Sequence, residues 1–148
     1  MKRILVAVDA SPCAPSVIEA GVELAKSSGA KMHLLRVVGL PPEPLPMNGI
    51  TAAPPTQVLD GILVTAKRDL GDIARNIPVD LVEAVSTQIG VAWDSICNYA
   101  REHDVDMIVI GSHGYRFIDR IIGTTAAKVV NHADRPVLVV REKKKLAA

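Results

Sequence analysis

Aromatic residues are nearly missing from this 148-residue chain, which has one Trp, two Tyr and one Phe. So few rings leave little on which bases could stack, and a net charge of +1 makes no footprint for a polyanion. Both argue against a nucleic-acid partner. Hydrophobic residues make up 49% and mean hydropathy is positive, yet no apolar run approaches the ~18–20 residues of a membrane span. The opening Met1-Lys-Arg-Ile-Leu-Val-Ala-Val-Asp9 has no long apolar core before its aspartate, so it reads as a first strand rather than a signal peptide. Two cysteines, Cys13 and Cys97, make no disulfide framework and suit a reducing cytoplasm. The expectation is a cytoplasmic protein without membrane or nucleic-acid partners.

Several chemistries lack their residues. His33, His103 and His132 have no metal-ligand spacing among themselves or with the cysteines, so no metal site is expected. There is no Gly-x-x-x-x-Gly-Lys-[Ser/Thr] and no Gly-x-Gly-x-x-Gly after the first strand, which excludes P-loop and dinucleotide motifs. Cys13 precedes a helix but has no evident base, and nothing assembles a hydrolytic centre. No catalytic residue is assigned.

What is present is rhythm. Five apolar runs punctuate the chain: Ile4–Val8, Met32–Val38, Val79–Val85, Met107–Ile110 and Val137–Val140. Most are near-continuous, as parallel strands covered on both faces are. Between them lie helical stripes. The first is Val17, Ala20, Gly21, Leu24 and Ala25; the second is Leu59, Ile62, Leu63, Ala66, Leu70, Ile73 and Ile77. Ala92, Ile96, Tyr99 and Ala100 form a third, and Ala126, Val129, Val130 and Ala133 a fourth. Alternation of strand and helix predicts an α/β doubly wound parallel sheet in a single domain over 1–148. Gly39 to Pro55 holds six of the ten prolines and reads as a long loop, neither strand nor helix. The stretch 142–148 reads as a solvated basic tail.

Ligands of open α/β sheets bind outside the carboxyl ends of the strands, where the connections reverse direction. Two features fall there. Gly111-Ser-His113-Gly114 comes after the fourth apolar run, and Gly123-Thr124-Thr125 opens the fourth helical stripe. Glycines admit a phosphate close to the backbone, and the first N–H groups of a helix lack intrahelical partners. The alternative is that these glycines only make turns. Asp9 ends the first strand and can accept from ribose hydroxyls, or it can serve only the turn into the first helix with Ser11.

Three blocks of this sequence carry a resemblance. They are Ile4-Leu-Val-Ala-Val-Asp9-Ala-Ser11, Gly90-Val-Ala-Trp-Asp-Ser-Ile96, and Asp106 to Val140 with its Gly111-Ser-His-Gly114 and Gly123-Thr-Thr. The chain resembles the universal stress proteins of the UspA-like superfamily over nearly its whole length, apart from the proline-rich loop. The resemblance implies a five-stranded sheet ordered 3-2-1-4-5. In one branch it also implies ATP, or ADP or AMP, with magnesium, at the mouth of the first and fourth strands. Carried over, Ala7 and Asp9 would meet adenosine and Val37 would face adenine with its backbone. Ile110 and Gly111 would flank the ribose, and Gly114, Gly123, Thr124 and Thr125 would hold phosphates. His113, read from its place in the turn alone, can bind a phosphate, serve as a base or only hydrogen-bond the backbone.

The family's ATP pattern is Gly-x2-Gly-x9-Gly and then Ser or Thr. Here Tyr115 to Ile122 supply eight residues rather than nine, and Thr124 stands where Ser is usual. Removing one residue from a helical turn rotates the downstream chain by ~100° and shortens it by ~1.5 Å. Either a loop absorbs the deletion or the phosphate end shifts. Two functions are then open: a regulatory adenine-nucleotide-binding protein of the stress response, or an interaction module that binds no nucleotide. The resemblance also implies a homodimer through the last strand, and Val137-Leu-Val-Val140 would otherwise be an apolar edge.

Overall fold

In the computed structural model, which describes residues 1–39, 56–112 and 123–142, the apolar runs become strands with a different core on each face. The elements are β1 (Arg3–Ala7), α1 (Ala14–Ser28), β2 (Lys31–Gly39), α2 (Thr56–Arg75), β3 (Val82–Gly90), α3 (Ala92–Glu102), β4 (Met107–Gly111), α4 (Thr124–His132) and β5 (Val137–Val140). They form a five-stranded sheet in the order β3-β2-β1-β4-β5, with every pairing parallel. The expected order 3-2-1-4-5 is the observed one.

Strand period explains the near-continuous runs. Ile4 and Val6 of β1, Met32 and Leu34 of β2 and Val109 of β4 pack against α1 and α2. Their neighbours Leu5, Leu35, Ile108 and Ile110 turn to the opposite face and pack against α3 and α4. A strand covered on both sides has no place for a polar face, so alternation disappears from its sequence. Close approach has its own requirement at Gly21 of α1, where an added Cβ would stand 2.8 Å from a Val6 methyl.

The third strand differs from its expected range. Pro78, at φ −51°, starts a 3₁₀ turn over Val79–Leu81, closed by the Leu81 N–H donating to the Pro78 carbonyl at 3.0 Å. Val79 is therefore exposed, and the strand begins only at Val82. It continues through Ser86, Thr87 and Gln88 to Gly90, because β3 lies at the sheet edge and pairs with β2 on one side only. Polar residues are tolerated there, and they hide the strand from a search for apolar runs.

The opposite, amino-terminal end of the sheet is tied by polar side chains. The register of β2 against β3 shifts between Met32 and His33, so Glu83 is an extra residue opposite neither. This bulge sends its carboxylate to His33 Nε2 at 2.7 Å and Arg3 Nε at 2.8 Å. Those contacts, His33 first, hold the Glu83 carboxyl below its ordinary value. His33 Nδ1 meets the Tyr99 hydroxyl at 3.0 Å, and burial pushes that phenol up. Among the described residues, no helix is long and apolar enough to cross a membrane. Residues 40–55 of the proline-rich loop and 143–148 of the basic tail lie outside the described residues.

Candidate functional site

A cleft of about 570 Å³ opens at the carboxyl ends of β1 and β2, beneath the first half of α2. Asp9, Ala10, Arg36, Val37, Gly61 and Thr65 are among the residues that line it. It flanks the switch point: chain connections reverse between β1 and β4, whereas the cleft's lining comes from the end of β1, from β2 and from α2.

Asp9 lies just past the end of β1 and is exposed. Its Oδ1 accepts from the Ser11 N–H at 2.9 Å, and Ser11 Oγ in turn accepts from the Cys13 N–H at 3.3 Å. Two successive side-chain turns thus lead into α1, which starts without a side-chain cap. The turn role is realised, and the carboxylate still borders the cleft. Both readings of Asp9 are compatible in one geometry.

Val37 contributes its peptide. Its side chain packs toward the α3 and α4 core. The Val8 N–H donates to the Leu35 carbonyl at 2.8 Å, beyond the last β1–β2 register pair Ala7–Leu35. Two residues further on, strand period turns the N–H and C=O of Val37 to the same side, where β1 has already ended. A donor and an acceptor therefore stand side by side near Asp9. Ala7 and Ile110, by contrast, pack toward the α3 and α4 core, and only their backbone reaches the sheet edge.

On the other side of β1, the Gly123 N–H donates to the Ser112 carbonyl at 2.6 Å. This bond draws the start of α4 to the end of β4. Gly123 offers no side-chain cap, the first turn has no acidic residue, and the first helical bond runs from the Ala127 N–H to the Gly123 carbonyl at 2.9 Å. The N–H groups of Thr124, Thr125 and Ala126 thus have no partner among the described residues, and both threonines are exposed. The Ser112 hydroxyl is buried and also without a partner among them. Gly111 sits in a tight contact: an added Cβ would lie 3.1 Å from Val17 and 3.2 Å from the Cys13 sulfur, so a larger residue needs α1's side chains to give way.

The structure therefore gathers Asp9 and Val37 in one cleft, and Gly111, Gly123, Thr124 and Thr125 around the end of β4. His113 and Gly114, and the shortened spacer 115–122, lie outside the described residues. The sequence reading missed Arg36, Gly61 and Thr65. A lone cation in an apolar strand run was a visible signal for Arg36. Gly61 and Thr65 had none, because only the docking of α2 brings them to the cleft. Among the described residues, no group of three His, Cys, Asp or Glu side chains could hold a metal ion.

A five-stranded parallel sheet in the order 3-2-1-4-5 with helices on both faces defines an open doubly wound α/β protein. A model of the universal stress protein family matches residues 1–141. The chain belongs to that family. Universal stress protein A homolog 2 of Coxiella burnetii is 30% identical over 145 residues, which is 96% of each chain. The solved UspA of Lactobacillus plantarum superimposes with a TM-score of 0.75 at 27% identity, covering 95% of this chain and 97% of that one. A universal stress protein of Archaeoglobus fulgidus, solved in complex with dAMP, gives 0.64 at 26% identity and covers 95% and 98%.

Proposed function

We propose that the protein binds an adenine nucleotide (ATP with magnesium, ADP or AMP) in the cleft and acts in the stress response as a regulatory binding protein. The observation that carries this reading is the peptide edge of Val37, without a backbone partner toward β1 among the described residues, beside Asp9 in the cleft. A neighbouring acceptor and donor match adenine's own pairing edge, with its amino group and ring nitrogen. Asp9 is suited to a ribose hydroxyl or the amino group. The N–H groups at the start of α4, with the Thr124 and Thr125 hydroxyls, are suited to phosphate oxygens. Gly111, Ile110 and Ala7 supply backbone along the same edge, and His113 and Gly114 complete the set on sequence grounds. The dAMP complex of the Archaeoglobus relative supports the choice of adenine.

The binding reading takes a single-domain protein in the cytoplasm. Cys13 and Cys97 are buried in separate cores on opposite faces of the sheet, an arrangement suited to a reducing compartment. A homodimer through β5 belongs to the same proposal, since β5 is an edge strand with Leu138 exposed.

Native mass spectrometry of the purified protein, with acid extraction of any released small molecule, tests the nucleotide. The expected result is a co-purified adenine nucleotide or uptake of added ATP with magnesium. A protein that is empty and stays empty would transfer the assignment to an interaction module.

A further inference from the structure

We propose that Arg36 makes the cleft selective for a nucleotide that carries a second phosphate besides its 5′ phosphate. The inference rests on the nucleotide reading of the same cleft. Arg36 interrupts the apolar run from Leu34 to Val38. By strand period it shares the face of Met32 and Leu34, so its side chain enters the space between β2 and α2. Its side chain is only 21% exposed.

Among the described residues the guanidinium is poorly matched. Asp69 Oδ2 is 4.0 Å from Arg36 Nη1, while Asp69 Oδ1 is 3.9 Å from Arg68 Nε. One half-exposed carboxylate is thus shared between two cations, and Arg36 makes no side-chain hydrogen bond among the described residues. Arginine cannot shed its proton, and a partly buried, under-paired cation is unfavourable. Its planar fork of donors fits two phosphate oxygens at once.

The 5′ phosphate does not serve this group. Its proposed cradle at the start of α4 lies beyond β4, on the far side of β1 from β2. Two strand spacings of about 4.8 Å separate β4 from β2, and the Met32–Leu34–Arg36 face of β2 is opposite the face that α4 covers. A ring nitrogen of adenine would accept one bond but leave the charge unmatched. Gly61, exposed at the cleft, has open space at its Cβ position among the described residues.

Calorimetric titration of the full chain with AMP, adenosine 2′,5′-bisphosphate and adenosine 3′,5′-bisphosphate tests the proposal. In the wild type, one bisphosphate is expected to bind roughly tenfold or more tightly than AMP. Arg36→Gln should bring that ratio to about one, and Arg36→Lys, which keeps a point charge but not the fork, should retain part of it. Equal wild-type affinities for all three ligands, or a ratio that survives Arg36→Gln, would overturn the inference. AMP binding without a bisphosphate advantage sinks this inference alone, whereas no binding of any of the three sinks the nucleotide reading with it. Should Arg36→Gln fail to fold, the wild-type ratio and Arg36→Lys decide.

Discussion

Asp9 Oδ1 accepts a hydrogen bond from the Ser11 N–H at 2.9 Å while the same carboxylate borders the cleft, so one side chain shapes the β1–α1 turn and the candidate site. The two roles separate by substitution. Asp9→Asn keeps a carbonyl oxygen for the turn, and its unfolding free energy should stay within about 0.5 kcal/mol of wild type. Its nucleotide affinity should fall roughly tenfold, since bonds to a charged acceptor are about twice as strong as neutral ones. Unchanged affinity in Asp9→Asn would leave Asp9 with the turn alone.

Gly111→Ala should destabilise the fold by about 1–3 kcal/mol. The added methyl meets Val17 at 3.1 Å and the Cys13 sulfur at 3.2 Å, and both belong to the start of α1. Urea unfolding measures the loss. A neutral variant would mean that α1 can retreat from β4 without cost.

Glu83 gives stability a specific acid dependence. His33 and Arg3 lower its folded pKa below the ordinary 4.5. A carboxylate with a depressed folded pKa contributes stability that is fully present above the unfolded value and lost as pH falls through the folded one. The contribution is therefore complete above about pH 4.5 and declines below it. The difference in unfolding free energy between wild type and Glu83→Gln should shrink from pH 6 to pH 3. A difference independent of pH would assign the effect of the substitution to hydrogen-bond geometry.

Leu70 and Ile62 belong to one helical stripe but should respond oppositely. Leu70 is fully buried, and Leu70→Ala should cost about 2–5 kcal/mol. Ile62 is exposed at the cleft, so Ile62→Ser should cost no more than about 0.5 kcal/mol. Equal losses in thermal or urea unfolding would show that the first half of α2 is packed more closely than the cleft allows.

Leu138→Lys places a charge on an exposed position of the edge strand β5. If two copies pair there, light scattering should show the wild-type dimer giving way to monomer. A dimer that persists in this variant would move the interface elsewhere on the molecule.

The buried strands were legible for physical reasons, whereas their order came from the resemblance. β1, β2 and β4 are covered on both faces, which forces continuous apolar sequence and makes them visible. The edge position of β3 relaxes that demand, so the apolar run stopped at Val85 while the strand runs on to Gly90, and the run's start at Val79 belongs to a 3₁₀ turn. In the second stripe, Ile62 and Leu70 look alike because periodicity reports which face of a helix is apolar. It does not report how deeply each turn is buried.

By itself the sequence determined the alternation of strands and helices, the resemblance that orders them, and the glycine and threonine residues that cluster near the end of β4. These come from local periodicity and from motifs read along the chain. Only the tertiary structure decided that α1 packs closely on Gly111, that Val37 outlasts β1 with its peptide unpartnered toward β1 among the described residues, and that Arg36 lies under α2 with a carboxylate shared by Arg68. Each depends on where one element ends relative to its neighbour. That is a matter of register and docking, set by packing across the sheet rather than by any residue's own preference.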